Sequence, residues 1–323
     1  MRTVHVQKDS PLLVKTYQLF AQSVQNGDML SKKMSFEKFQ DTFFPERKGI
    51  TAVNLLEEEG RAFAFGCLDE SIQKTFITMV IVKEEERGRG LGRWILNELE
   101  QELIARGKRH RLEISFFNPI TLSWVIPWRR GAEHPNMPGV DVGSGAYLFL
   151  KNCGYRDFSM QNSYYTALNT YHYPKAMEDK KNELAHAGFK LDLYDERIHT
   201  GMEEMLRRFG NPMWEREILG EPSRQKGGRP ILVPLYEKRV CGFTGPLDVE
   251  KNGRGYFAGI GIDPDFRGKG LAKVLFCELC QTLKKEGASY MTLFTGENNP
   301  ARNIYEDAGF SIVRTWADMR KED

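Results

Sequence analysis

The chain has 323 residues, 41% hydrophobic and 28% charged, with a formal net charge of +2. That length exceeds one small core and favours two domains. The near-neutral balance gives no broad basic field for a nucleic-acid backbone, and no run approaches the ~20 apolar residues of a membrane span, so neither nucleic acid nor membrane is an expected partner. The N-terminal stretch "MRTVHVQKDS" has no apolar signal-peptide core, so a cytoplasmic location is expected. Five scattered cysteines make no disulfide framework. Cys277 and Cys280 are spaced C-x-x-C but fall inside a helical pattern, and they read as buried helix residues. The six histidines show no ligand spacing, so no metal is expected.

In chain order, the first clear element is a strand-like run, "KTFITMVIV" (Lys74 to Val82). A basic, Gly-rich turn follows, "KEEERGRGLG", and then a helix, "RWILNELEQELIARG". Leu91, Trp94, Ile95, Leu99 and Leu103 share one helical face, and Gly107 is a stop signal. A strand, "RLEISFF", begins at Arg111. The stretch "TLSWVIPWRRGAEHPNMPGVDVGSG" is rich in Pro, Gly and Trp and reads as an ordered loop. A short helix then runs to Tyr155, and a final strand follows. From Pro174 to Gly188 the pattern is a linker helix, with Pro at its start and Gly at its end.

The same order then recurs. "GYFAGIGI" is strand-like, "DPDFRGKGLA" is the turn, and "KVLFCELCQTLKKEG" is a helix. Its apolar face is Leu271, Val274, Leu275, Leu279 and Leu283, and its stop is Gly287. "YMTLFT", the helix of "NIYEDAGF" and a last strand complete it. The loop beginning at Thr121 has no counterpart in this second half.

A Gly-rich turn at a helix N-terminus presents unpaired backbone N–H groups to an anion, typically phosphate. Neither turn carries the G-K-[ST] of a P-loop. Arg93 and Lys273 stand where a dinucleotide fingerprint needs its third glycine. Both turns match R-x-x-G-x-[GA], through Arg87, Gly90 and Gly92 and through Arg267, Gly270 and Ala272. With "IDPDFRGKGLA" and "NNPARNIYEDAGF", this resembles the pyrophosphate-binding loop and following helix of the GNAT acetyltransferase superfamily. The resemblance covers both halves. It implies an α/β (mixed α+β) class of two tandem GNAT folds, each a mixed, largely antiparallel twisted sheet flanked by helices. The expected divisions are 1–172, a linker helix at 173–188, and 189–323.

The resemblance further implies acetyl-CoA as donor and a primary amine of a small molecule or peptide as acceptor. It assigns cofactor contacts to Ile260, Gly261, Ile262, Arg267, Gly268, Lys269, Gly270, Leu271, Ala272, Asn298 and Asn303. In the first half the matching residues are Val80, Val82, Arg87, Gly88, Arg89, Gly90, Leu91 and Gly92. Tyr305 stands at the family's general acid, and it equally suits a core aromatic. The general base stays open among Asp248, Glu250, Asp263 and water. Leu150 occupies the place of Tyr305 in the first half, with Tyr147 nearly one turn away, so the second half is expected to be the catalyst. Three carboxylates, Glu84, Glu85 and Glu86, precede the first loop. Trp124, Trp128, Arg129, Arg130, His134 and Asp141 either line an acceptor pocket or hold the long loop in place. A non-catalytic acyl-CoA-binding or regulatory protein, and a longer acyl donor, are the competing readings. Oligomeric state is left open.

Overall fold

The computed structural model describes residues 1–107, 111–221 and 228–322. The chain forms two compact units, Met1–Asn162 with the residues from Arg314 onward, and Ser163–Val313. No helix among the described residues is long and apolar enough to cross a membrane.

The first unit contains β1 (Thr3–His5), α1 (Leu12–Gln25), α2 (Phe36–Phe43), β2 (Ile50–Glu57), β3 (Ala62–Asp69) and β4 (Lys74–Val82). Next come α3 (Leu91–Gly107), β5 (Arg111–Ile114), the short strands β6 (Trp124–Val125), β7 (Glu133–His134) and β8 (Val140–Asp141), α4 (Gly145–Asn152) and β9 (Arg156–Ala167). Strands β1 to β4 form an antiparallel meander. Both sheet faces are covered, and β3 shows it: Ala62, Ala64 and Leu68 face the stripe of Leu91, Ile95, Leu99 and Leu103 on α3. Phe63, Phe65 and Cys67 face Phe20, Phe39 and Phe43 of α1 and α2. Gly66 is required where α3 crosses, because a Cβ there would stand 2.6 Å from the Phe76 carbonyl and 2.7 Å from Leu103. Strands β4 and β5 run parallel and pair at Thr75↔Leu112 and Phe76↔Glu113. Beyond Phe76, β4 keeps β3 on one side and, among the described residues, has no ladder with β5 on the other.

The second unit contains α5 (Lys175–His186), β10 (Phe189–Leu193), α6 (Met202–Phe209), α7 (Pro212–Leu219), β11 (Leu232–Tyr236), β12 (Arg239–Val240) and β13 (Gly242–Thr244). It continues with β14 (Arg254–Gly255), β15 (Ile260–Ile262), α8 (Leu271–Lys285), β16 (Tyr290–Gly296), α9 (Arg302–Asp307) and the first residues of β17 (Ser311–Glu322). Strand β14 pairs parallel with β16 at Arg254↔Tyr290 and Gly255↔Met291. After four intervening residues the chain has changed partner, and β15 pairs antiparallel with β13. This repeats the divergence seen in the first unit. Helix α8 buries all five stripe residues, along with Phe276, Cys277 and Cys280. Truncating a fully buried leucine such as Leu279 to alanine would cost about 2–5 kcal/mol.

The two closing strands are present, but each changes unit along its length. Strand β9 enters the second unit at Ser163, and β17 enters the first at Arg314. This differs from the division expected at residue 172. In the first unit, Met319, Arg320, Lys321 and Glu322 of β17 pair antiparallel with β5. Trp316 meets Trp124 edge-on at 4.8 Å, and Ala317 and Met319 complete the core under α3. The buried Asp318 carboxylate accepts from the Phe116 N–H and the Gln161 amide, and burial pushes its pKa up to about 6. Trp316, Ala317 and Met319 of "SIVRTWADM" are therefore buried in the first unit, whereas Ile312 is exposed.

Candidate active site

The loop of the second unit begins where β15 ends. A single 3₁₀ turn, Pro264–Phe266, leads to Arg267, and α8 starts at Leu271. Gly268 and Gly270 lie at φ +77° and +86°, where a Cβ is disfavoured, so the loop depends on glycine at both. Asp263 caps the 3₁₀ turn and is held by Arg208 at 2.7 Å. No side chain caps α8. Among the described residues, the backbone N–H groups of Gly268, Lys269, Gly270 and Leu271 have no acceptor. Together with the helix dipole they form an anion-binding face. Arg267 donates Nε to the Ile262 carbonyl at 3.0 Å, which ties the loop to the strand. Neither its terminal nitrogens nor the Lys269 ammonium is ion-paired among the described residues. Ala272 is half-buried within the core around α8.

The strand supplies a second set of donors. The Asp263 N–H donates to the carbonyl of Cys241, just before β13, so by alternation the N–H groups of Ile260 and Ile262 point away from β13, and that of Gly261 toward it. On the side they face, β15 has already parted from the strand that β14 pairs with. The two glycines of "FAGIGI" have a reason beyond ligand approach. A Cβ on Gly259 would lie 2.6 Å from the Trp214 indole nitrogen, and one on Gly261 would lie 2.9 Å from Phe209 and Phe243. The aromatics of α6 and α7 are thus pressed onto this strand, and Trp214 donates its Nε1–H toward the Ala258 carbonyl at 3.4 Å. Neither aromatic was singled out in the sequence. The signal was "NP" before "MWERE", since the Asn211 side chain accepts from the N–H groups of Met213 and Trp214 and Pro212 opens α7.

Tyr305 on α9 is 5% exposed. Its ring packs against Phe276 at 5.0 Å and against Phe257 and Tyr164 at 5.9 Å each. It is a core aromatic, and its hydroxyl has no hydrogen-bond partner among the described residues. Burial, with Tyr164 beside it, raises the phenol well above its ordinary pKa. Phe257 places the ring next to the segment that leads into Ile260. Asn298 and Asn303 are exposed on either side of the start of α9. The turn between β16 and α9 is shaped instead by Asn299, which donates to Thr295 Oγ1 and accepts from the Ala301 N–H. The three carboxylates considered as bases are all engaged: Asp248 with Arg229, Glu250 with Arg254, and Asp263 with Arg208.

The first unit repeats the loop backbone with different surroundings. Gly88 and Gly90 have φ +77° and +83°, and Arg87 donates Nε to the Val82 carbonyl at 3.1 Å. The Lys83 N–H donates to Arg61 beside β3, so the N–H groups of Val80 and Val82 face the divergence. Leu91 is buried, and Gly92 lies against Phe149 and Val82. Here the cations are taken. Arg87 makes a two-pronged contact with Asp28, at 2.9 and 2.5 Å, and this holds the Asp28 carboxyl below its usual range. Arg89 pairs with Glu86 at 3.2 Å. Leu150 is buried in the core, and Tyr147 donates its hydroxyl to Asp157 at 2.6 Å, with Lys151 on the same carboxylate.

The long loop divides its tryptophans. Trp124 is fully buried and donates Nε1–H to the Asn136 carbonyl. Trp128 is 90% exposed at the tip of the β6–β7 hairpin. A cavity of about 440 Å³ includes Trp128, Arg129 and Arg130 in its lining and no residue of either R-x-x-G-x-[GA] turn. His134 is buried on β7, and Asp141 on β8 accepts from the Gly143 N–H.

The sequence profile of the Acetyltransferase (GNAT) family matches residues 16–121 and 199–310, more than half of the chain. The chain belongs to the GNAT family. Both matches span a loop, so it is a tandem GNAT protein. A mycothiol acetyltransferase of Propionibacterium freudenreichii subsp. shermanii is 34% identical over 74 residues, which cover 23% of this chain and 24% of that one. The match thus spans about a quarter of the relative's length. Among solved structures, a GCN5-related N-acetyltransferase from Sphaerobacter thermophilus superposes with a TM-score of 0.64 at 17% identity, covering 99% of this chain and 95% of the other. A tandem GNAT protein from the clavulanic acid biosynthesis pathway, without AcCoA, gives 0.58 at 14% identity, covering 99% and 98%. These likenesses establish the tandem GNAT fold over nearly the whole chain.

Proposed function

We propose that the protein moves an acetyl group from acetyl-CoA to a primary amine of a small molecule or peptide, and that the second unit carries the chemistry. The observation that carries this reading is the state of the loop cations: Arg267 and Lys269 lack an acidic partner among the described residues, whereas Arg87 and Arg89 have one each. In this reading the pyrophosphate lies on the N–H groups from Gly268 to Leu271, with Arg267 and Lys269 adding charge. The N–H groups of Ile260 and Ile262 hold the pantetheine arm and the thioester carbonyl, and they serve as donors when that carbonyl becomes an oxyanion.

The unprotonated amine forms a bond to the carbonyl carbon, the C–S bond breaks, and the amine gives up its proton to water. The thiol has a solution pKa near ~8.5, well below that of the buried Tyr305 phenol. Complete transfer from Tyr305 is therefore uphill. Its hydroxyl contributes by hydrogen-bonding the developing thiolate, which takes its final proton from solvent. Phe257 and Phe276 fix the ring for that contact.

The test is release of free thiol from acetyl-CoA against a panel of amines, including the amine acceptor of mycothiol acetyltransferases. Amine-dependent release is expected. Acetyl-CoA that binds by calorimetry, yet yields no thiol above the amine-free rate across the panel, would leave a binding protein in place of an enzyme.

A further inference from the structure

Lys180 lies outside both loops, on α5, and its side chain covers the second loop. The stem is pressed against Gly270: a Cβ built on that glycine would stand 2.7 Å from Lys180 Cε, 3.4 Å from Cγ and 3.6 Å from Cδ. The ammonium is one bond beyond Cε and pairs with Glu183, one turn along the same helix, at 2.8 Å. Three contacts hold α5 over α8. Leu184 is buried in the core around α8, Tyr173 donates its hydroxyl to the Val274 carbonyl at 3.2 Å, and Lys181 pairs with Glu278 at 2.5 Å. Among the described residues the first unit has no equivalent, since a Cβ on Gly90 would meet nothing within 4 Å.

We infer that Lys180 is a phosphate-binding residue of the second unit, recruited from a helix outside the loop motif. The inference rests on the second loop being the CoA site. The partner of Lys180 is then an anionic phosphate at the nucleotide end of CoA. Glu183 holds the ammonium at the loop, and exchange of that exposed i,i+3 partner for a phosphate costs little, because such surface pairs are weak. The phosphate is already fixed by four backbone N–H groups and the α8 dipole, so an ammonium at the rim adds a charge-assisted contact.

Lys180→Met keeps the stem over Gly270 and removes only the charge. The affinity for CoA, read by calorimetry, should fall about ten-fold. The preference for acetyl-CoA over acetyl-pantetheine, which lacks the phosphates, should fall by the same factor as a ratio of kcat/KM. The salt dependence of CoA binding should flatten, as expected when one phosphate contact is lost. CoA binding equal to wild type would overturn the assignment. So would equal weakening toward CoA and pantetheine, which would mark Lys180 as a packing residue. Gly268→Asp separates this from the reading beneath it. If Gly268→Asp loses CoA while Lys180→Met does not, the loop is the site and Lys180 is not part of it. If Gly268→Asp binds CoA as wild type does, the loop assignment fails and Lys180 falls with it.

Discussion

Gly88 and Gly268 share a φ of +77°, Gly90 and Gly270 lie at +83° and +86°, and Arg87 and Arg267 each donate Nε to the carbonyl five residues before them. Around this common backbone the charges differ. Asp28 and Glu86 neutralise the cations of the first loop, while the second, among the described residues, keeps two cations without acids and lies under a third, Lys180. Residues at positive φ cannot be exchanged without strain, whereas a carboxylate on a neighbouring turn arrives by one substitution. Two copies of a loop therefore keep their shape long after they cease to be equivalent in charge. A matching motif reports the backbone, and the neighbours decide whether the backbone is available to a ligand.

The most direct way to break this contrast is a matched pair of charge insertions, Gly268→Asp and Gly88→Asp. Both sites are open, with nothing within 4 Å of a built Cβ, and aspartate tolerates the left-handed region better than most residues. A carboxylate about 4 Å from a phosphate charge costs roughly 4 kcal/mol at an effective dielectric near 20. Gly268→Asp should thus weaken CoA about 10³-fold and abolish turnover in a protein folded by circular dichroism. Gly88→Asp should retain most turnover. The reverse pattern, with both variants folded, would make the first unit the catalyst.

Tyr305→Phe sharpens the contrast between Tyr305 and Leu150. With only the hydroxyl removed, kcat should fall about 10²-fold while CoA affinity stays within a few-fold. Because burial raises this phenol, it stays protonated throughout the working range of pH. An alkaline fall in the wild-type rate near pH 8–10 must then come from another group, and it should persist in Tyr305→Phe. A kcat equal to wild type would leave Tyr305 as packing alone.

The gentlest change is a gain. Asp28→Asn combined with Glu86→Gln frees Arg87 and Arg89 without altering the first loop itself. If charge is what separates the loops, first-site affinity for CoA should rise about ten-fold, and calorimetry should report a second equivalent. A stoichiometry still at one would mean that something other than these two acids closes the loop.

Much of the site was legible in the sequence because its determinants are local. Glycines at forced φ, the stripes of α3 and α8, and the stop at Gly287 all act within a few residues. Apart from Glu86, three residues before Arg89, the side chains that decide between the loops are not local. Asp28 meets Arg87 from the turn after α1, Lys180 meets Gly270 from α5, and Trp214 meets Gly259 from α7. Each contact depends on how helices cross a sheet, which no periodicity encodes. The exchange of β9 and β17 between units was hidden for the same reason. Alternation in "SIVRTWADM" marks a strand and its two faces but does not say which sheet edge will take it.

That exchange bears on how the protein is made. Phe116 donates its N–H to Asp318, 202 positions later, and β17 closes a sheet edge at β5 that opens early in the chain. At about 5–20 residues per second, a ribosome needs roughly 10–40 s to cover that distance. Domains usually fold in the order they emerge, but here the earlier unit must wait for a strand translated after all of the later one. During that interval β5 presents its backbone N–H and C=O groups along an unpaired edge, beside apolar positions that Ala317 and Met319 will later cover. The nascent chain thus passes through a stage in which its first half is an open template for strand addition, and trigger-factor-like shielding or slow synthesis would matter most at that stage.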